Sequence, residues 1–205
     1  MFNNKDILNF SMIQILNTSQ INKNFKIERC FFGDVYEITR RRLIDERGFL
    51  ERMYCLESFN EIFPNGINQI NRTHTKKSGT VRGLHYQLPP SSEYKIVNCI
   101  RGEVYDVVLD LREMSNTFGQ WQSVKLSADK NNFLVIPAGM AHGFQTLTDN
   151  VEIIYFHDAA YNSKLERGVN FFDPKLGIRF PLSVKSISER DQAFPFVNDI
   201  SGIKI

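Results

Sequence analysis

Four histidines occur in the 205-residue chain, and two of them stand in settings that suit proton transfer. His85 lies in RGLHYQ (82–87) and His142 in AHGF, each beside a turn–strand junction. A neutral imidazole, with an unperturbed pKa of about 6.5, is the usual general base near neutral pH. Such a base needs a carboxylate to hold its tautomer, and Asp106, Asp110 and Asp191 are the candidates. A phenol, titrating at about 10, can return a proton to a carbanion, which singles out Tyr155. Lys95 has the charge to stabilise an enolate oxygen. Arg82 stands three positions before His85 in a glycine-containing segment. A guanidinium binds phosphate through paired hydrogen bonds, so an arginine beside a base points to a substrate that carries a phosphate or diphosphate. Neither a P-loop nor GxGxxG occurs, so a glycine-rich cradle for that anion is not expected.

Two other uses of these histidines compete. A metal site of the HxH type would need a ligand two positions after His85, where the chain has Gln87, and a nearby carboxylate, which only Glu93 supplies. An amide is a poor ligand for a transition metal, so no metal site is expected. Each histidine could equally be a satisfied polar group in a sheet. His74 and His157 are read that way.

The elements that must position these residues are short and strand-like. In EYKIVNCIRGEVYDVVLDLR, Arg101-Gly102-Glu103 reads as a turn between strands. The second strand puts Val104, Asp106, Val108 and Asp110 on one face and Tyr105, Val107, Leu109 and Leu111 on the other. Pro137-Ala138-Gly139 is a further turn, after which His142, Phe144 and Thr146 share a face. In VEIIYFH, Ile153, Tyr155 and His157 share one face and Glu152, Ile154 and Phe156 the other. Turns are also expected at DERG (45–48) and KKSG (76–79), and a short helical turn near Ser188 and Asp191. Many short strands punctuated by Gly, Pro, Asn and Asp predict an all-β sandwich or barrel.

Bulk properties narrow the function classes. Twenty-five basic and 23 acidic residues leave a formal charge of +2, too even for nucleic-acid binding by bulk electrostatics. Three cysteines without CxxC spacing fit a reducing compartment better than a disulfide framework. The N-terminus lacks the charged and apolar regions of a signal peptide, and no stretch is apolar for long enough to span a membrane, so a cytoplasmic location is expected. Residues 1–24, rich in Asn, Ser and Ile, are expected to be a mobile appendage or to lie on a neighbouring subunit, with a short amphipathic helix over 4–16 as one option. Residues 25–205 are expected to form the folded domain.

RGLHYQ, KIVNCIRGEVYDVVLDLR, TFGQW and IPAGMAHGFQTLTD, in this order and spacing, resemble the dTDP-4-dehydrorhamnose 3,5-epimerase family over about Phe25 to Val197. The resemblance implies a cupin-type jelly roll with short terminal helices, cofactor-independent and metal-free isomerase activity, and a homodimer. The implied substrate is a nucleotide-diphospho-4-keto-6-deoxyhexose in deoxysugar biosynthesis for polysaccharide. By the same resemblance His85 is the base that removes the proton next to the C4 ketone, paired with Asp191 in SERDQAFP. Lys95 stabilises the enolate, and Tyr155 reprotonates from the opposite face. His142 is a second active-site histidine, Arg82 and Arg47 face the diphosphate, and Gln69 and Asn71 line the pocket. One departure stands out: the family places a Glu where this chain has Arg52, while Glu51 sits one position earlier. A 3-only or 5-only epimerase on another nucleotide sugar, a catalytically silent sugar-nucleotide binder and a metal dioxygenase of similar fold remain alternatives at this stage.

Overall fold

A computed structural model describes residues 23–205, so the expected appendage over 1–24, with its optional helix, lies almost wholly outside the described residues. Thirteen strands follow in order: β1 (Phe25–Phe31), β2 (Val35–Arg40), β3 (Arg42–Asp45), β4 (Gly48–Glu51), β5 (Gln69–Thr75), β6 (Val81–Gln87), β7 (Lys95–Arg101), β8 (Glu103–Asp110), β9 (Trp121–Ser127), β10 (Asn132–Ile136), β11 (Met140–Thr146), β12 (Val151–His157) and β13 (Glu166–Gly168). Two four-residue helices accompany them, α1 (Leu56–Phe59) and α2 (Glu189–Gln192).

The strands form two antiparallel sheets. One has the order β1-β2-β10-β7-β12-β5 and the other β13-β6-β11-β8-β9; β3 and β4 make a separate hairpin. The expected turns all connect strands: Glu46-Arg47 closes β3–β4, Gly102 joins β7 to β8, and Ala138-Gly139 leads into β11. These crossovers within two facing sheets make the jelly roll of the cupin type.

Period-two patterning decides what each sheet face covers. From β8, Val104 and Val108 enter the central core between the sheets, where they meet Val97, Cys99, Leu134, Phe144 and Ile153. Tyr105, Val107, Leu109 and Leu111 face the other way, under a cover of Val169, Phe171, Leu176 and Val197 from the C-terminal segment. The six-stranded sheet is likewise double-faced. Ile153 and Tyr155 of β12 look inward, while Ile154 and Phe156 look outward to Phe59 and Phe63 around α1. Each fully buried Leu, Ile, Val or Phe in these layers contributes roughly 1.5–3 kcal/mol of transfer free energy. Inward-facing polar residues therefore sit on rigid walls at one end of the central core.

Candidate active site

Two sheets face each other across a cavity of about 280 Å³. From the five-stranded sheet it is walled by Arg82, His85 and His142, and from the six-stranded sheet by Gln69, Asn71, Lys95, Tyr155 and His157.

His85 and His142 are direct partners in the β6–β11 ladder. Gly83, two positions before His85, and Gly143, next to His142, let these strands approach. A Cβ on Gly83, whose φ is +112°, would lie 2.6 Å from the Cα of Gly143 and 2.7 Å from the carbonyl oxygen of His142; a Cβ on Gly143 would lie 2.5 Å from the carbonyl oxygen of Arg82. Only glycine fits either place, which explains RGLH and AHGF in physical terms.

The carboxylate for His85 comes from far along the chain. Ser188 caps α2, its Oγ accepting from the backbone N–H of Asp191 at 3.0 Å, and so fixes the first turn. Asp191 Oδ1 is then 2.9 Å from His85 Nε2, and its Oδ2 accepts from the Gly83 N–H at 3.1 Å. Burial works to raise the Asp191 carboxyl, but the His85 partner, the Gly83 N–H and Ser188 outweigh it and hold the group below its usual range. Arg190 Nη2 also lies 3.2 Å from His85 Nε2. One nitrogen cannot donate to a carboxylate and accept from a guanidinium. The shorter Asp191 contact puts the proton on Nε2, leaving Nδ1 as the basic nitrogen.

His142 has its own carboxylate. Its Nε2 lies 2.8 Å from Oδ2 of Asp106, which is fully buried. Burial raises the Asp106 carboxyl despite the histidine, and its Oδ1 has no hydrogen-bond partner among the described residues. Asp110, the third candidate orienter, is elsewhere. It accepts from Arg112, Ser115 and Thr117, and no histidine approaches it.

On the facing wall, Tyr155 packs edge-on to His142, with ring centroids 6.3 Å apart. Burial raises its phenol pKa, against a hydrogen bond with Thr73, so the group stays protonated well into the alkaline range. Asn71 is directly across from Tyr155 on β5, and Gln69 directly across from His157. Lys95 is buried and ion-paired to Glu93 at 3.0 Å. Glu93 also meets His157 Nδ1 at 3.1 Å and accepts from Gln87 Nε2 at 2.9 Å. Burial raises its carboxyl, but Lys95 and His157 more than offset this and pull it down to about 2. Gln87 is a structural amide: it also donates to Ser91 O and accepts from Asn162 N.

Arg82 reaches the cavity wall while its Nε donates to Thr75 Oγ1 at 3.1 Å. Arg47 does not reach it. It sits on the β3–β4 turn with its side chain 84% exposed, paired with Asp45. Glu51 is bound to Arg42 at 2.9 Å, and Arg52 is exposed beside it. His74 lies on β5 opposite Glu152, away from the cavity. His157, an ordinary sheet histidine on sequence grounds, is instead a wall residue, and the shared parity with Tyr155 in YFH was the signal for it. Glu93, weighed only as a metal ligand, holds Lys95. Tyr161, Glu166 and Arg190 form a rim that nothing in the sequence announced: Tyr161 Oη donates to Glu166 Oε2 at 2.8 Å and Arg190 Nη1 to the same oxygen at 2.8 Å.

The arrangement is suited to moving a proton off one face of a bound carbon and onto the other. A carboxylate-held imidazole stands on one sheet, and a protonated phenol and an ammonium stand on the opposing sheet.

Comparison with known proteins agrees with this chemistry. The family model described as dTDP-4-dehydrorhamnose 3,5-epimerase matches residues 30–199. A dTDP-4-dehydrorhamnose 3,5-epimerase of Shigella flexneri is 39% identical over 148 residues, covering 72% of this chain and 82% of that one. A dTDP-4-dehydrorhamnose 3-epimerase of Streptomyces niveus is 34% identical over 160 residues, 77% of each chain. The crystal structure of the Legionella pneumophila dTDP-6-deoxy-D-glucose-3,5-epimerase, in complex with dTDP-4-keto-L-rhamnose, superposes with a TM-score of 0.83 at 31% identity. It covers 88% of this chain and 98% of that one.

Proposed function

The chain belongs to the dTDP-4-dehydrorhamnose 3,5-epimerase family, and from that premise we propose that it inverts C3 and C5 of a nucleotide-diphospho-4-keto-6-deoxyhexose, turning dTDP-4-dehydro-6-deoxyglucose into dTDP-4-dehydrorhamnose. The observation that carries this reading is the opposition of His85–Asp191 on one sheet to Tyr155 and Lys95 on the other, across one cavity.

The C4 ketone acidifies the hydrogens on C3 and C5. His85, its Nε2–H held by Asp191, takes one of them on Nδ1. The electron pair moves into the C3–C4 or C4–C5 bond, and the C4 oxygen becomes an enolate. Lys95, itself buried, meets that charge away from bulk solvent, where the interaction is worth more than in water. Tyr155 then delivers a proton to the opposite face of the same carbon. His142, oriented by Asp106, stands beside both. Proton transfer of this kind requires neither a redox cofactor nor a metal ion. Arg82 is suited to the diphosphate, and Gln69 and Asn71 to polar groups of the nucleotide sugar.

Arg47 belongs to a wider reading, a homodimer. The β3–β4 hairpin carries Ile44, Phe49 and Leu50 at 78%, 57% and 69% exposure. A second copy covering this apolar surface would enclose Arg47 near a nucleotide. We also propose that residues 25–205 form the epimerase domain with 1–24 as an appendage, and that the enzyme works in the cytoplasm, where nucleotide sugars are made. No helix among the described residues is long and apolar enough to cross a membrane.

The test is exchange. Incubated with dTDP-4-keto-6-deoxyglucose in D2O, the protein should place deuterium at C3 and C5, read by NMR. Uptake at neither carbon would overturn the assignment. A second reading, epimerisation at one carbon alone, has support from the likeness to the Streptomyces niveus 3-epimerase. Deuterium at C3 only, or at C5 only, would establish it.

A further inference from the structure

The proposed mechanism draws on Lys95 but leaves its partners in a buried ionic cluster, Glu93 and His157, without a role. Glu93 holds two wall residues at once, Lys95 through Oε1 at 3.0 Å and His157 through Oε2 at 3.1 Å. Lys95 and His157 are direct partners in the β7–β12 ladder, and Gln69 flanks His157 on its other side. The row Gln69–His157–Lys95 therefore crosses the cavity wall. Next to it the His157 ring stacks on Tyr155, with centroids 6.0 Å apart and planes at 25°.

The chemistry of His157 follows from what holds it. Glu93, held down to about 2, is an ionised acceptor at working pH. It can only accept, so His157 Nδ1 must carry the proton. An imidazole that carries one proton, on Nδ1, has its lone pair on Nε2. That atom has no partner among the described residues, and His157 lines the cavity. It is a fixed hydrogen-bond acceptor beside Lys95 and Tyr155.

A 4-keto-6-deoxyhexose with its C4 oxygen at Lys95 can turn one of two neighbours toward His157. C5 carries a methyl group and C3 a hydroxyl. A methyl would leave the imidazole lone pair without a donor in a confined site, which is costly. A hydroxyl satisfies it. Cross-strand partners on one face stand about 5 Å apart at Cβ, close enough to grip two adjacent ring substituents together.

We propose that His157, oriented by Glu93, is a specificity-determining residue of the sugar site, accepting a hydrogen bond from the C3 hydroxyl of the bound 4-ketohexose and so governing proton exchange at C3. Glu93 is the positioning residue, acting through His157 and Lys95. The inference rests on the proposed epimerase function and adds a handle on which carbon is inverted.

The experiment measures deuterium at C3 and at C5 separately, as initial rates with dTDP-4-keto-6-deoxyglucose in D2O, for the wild type, H157F, H157Q and E93Q. H157F keeps a ring against Tyr155 and removes the acceptor. We expect its C3:C5 exchange ratio to fall about tenfold, the worth of one hydrogen bond. H157Q, whose amide oxygen still accepts, should recover much of that ratio. E93Q should lower the ratio too, and also slow exchange at both carbons because Lys95 loses its counter-ion. The ratio is internal to each sample, so partial unfolding of a variant does not imitate the effect. An unchanged ratio in H157F, or wild-type exchange at C5 alone, overturns the inference while leaving the epimerase reading intact. Absence of wild-type exchange at either carbon overturns the epimerase reading itself.

Discussion

His85 and His142 face each other as partners on adjacent strands, yet each ring binds a different buried carboxylate, Asp191 from the C-terminal helix and Asp106 from the neighbouring strand. The two pairs differ electrostatically. Asp191 is held below the usual carboxylate range by His85, the Gly83 N–H and Ser188 against the pull of burial, while burial pushes Asp106 up. The first pair is built to keep its carboxylate ionised, which holds the His85 ring in one orientation and tautomer. It is the pair to which we assign proton removal.

Replacing that base separates chemistry from folding. His85→Asn should lower exchange at C3 and C5 by about 10³-fold, within the range of general-base catalysis. Asp191→Asn should cost about 10²-fold, since the amide still spans the gap but can present its NH2 to Nε2 and favour the wrong tautomer. Exchange in D2O reads both. Exchange in His85→Asn within a few fold of wild type would remove the base assignment.

Gly83 is the tightest point of the frame. Gly83→Ala would set a methyl group against the backbone of Gly143 and His142 at a φ that L-residues avoid. Strain and overpacking together should cost about 2–4 kcal/mol. Denaturant titration should show that loss. The surviving folded fraction should also lose activity, because β6 and β11 must part and His85 moves away from His142. A variant of unchanged stability would mean that the strands tolerate separation.

Tyr155→Phe isolates the return of the proton. The phenol is held protonated by burial, so no loss of activity from its ionisation is expected below a pH of about 10. Removing the hydroxyl should cut net epimerisation by about 10²–10³-fold. Proton removal by His85, followed as solvent exchange on its own face, should fall much less. Equal loss of both would place Tyr155 outside the reprotonation step.

Glu93 ties stability to pH. Its carboxyl has a folded-state pKa of about 2, depressed from an ordinary value of about 4.5. A depressed carboxyl stabilises the fold above its unfolded pKa, and that contribution is lost as pH falls through the folded one. The window is therefore pH 4.5 down to 2, and the contribution on the order of 3 kcal/mol. Chemical denaturation at a series of pH values should give a shallower slope across that window for Glu93→Gln than for the wild type. Parallel slopes would mean that Lys95 and His157 do not stabilise the ionised form.

Local pattern made much of this legible before any coordinates. The alternation in EVYDVVLD divides cleanly between the central core and the outer one, because a strand with both faces buried has only two sides to fill. His85, His142, Tyr155 and Lys95 are visible as reactive types on strands, and the resemblance pairs His85 with Asp191, a contact that spans 106 residues. The Glu93 clamp was not visible, because a loop glutamate between serine and tyrosine looks like solvated surface until the fold brings β12 beside it. The Tyr161–Glu166–Arg190 rim is a meeting of a loop, the short strand β13 and a short helix, with no period to betray it. Arg47 is the opposite case: its motif marks it as a site residue, yet a single chain leaves it exposed on a hairpin.

That exposure makes the hairpin a test of assembly. Ile44 and Leu50 are largely solvent-exposed, so changing both to Asp removes little packing within one chain. It does place two charges where the proposed second copy would bury apolar surface, which a dimer interface tolerates poorly. The Ile44→Asp, Leu50→Asp double variant should sediment as a monomer at micromolar concentration while the wild type sediments as a dimer. Its melting temperature should be unchanged once dissociation is allowed for. Affinity for the nucleotide sugar should fall as well, to about the level of Arg47→Ala in an intact dimer, because Arg47 acts only when a neighbouring copy fixes the hairpin. A double variant that remains dimeric would move the interface elsewhere and leave Arg47 an ordinary surface arginine paired with Asp45.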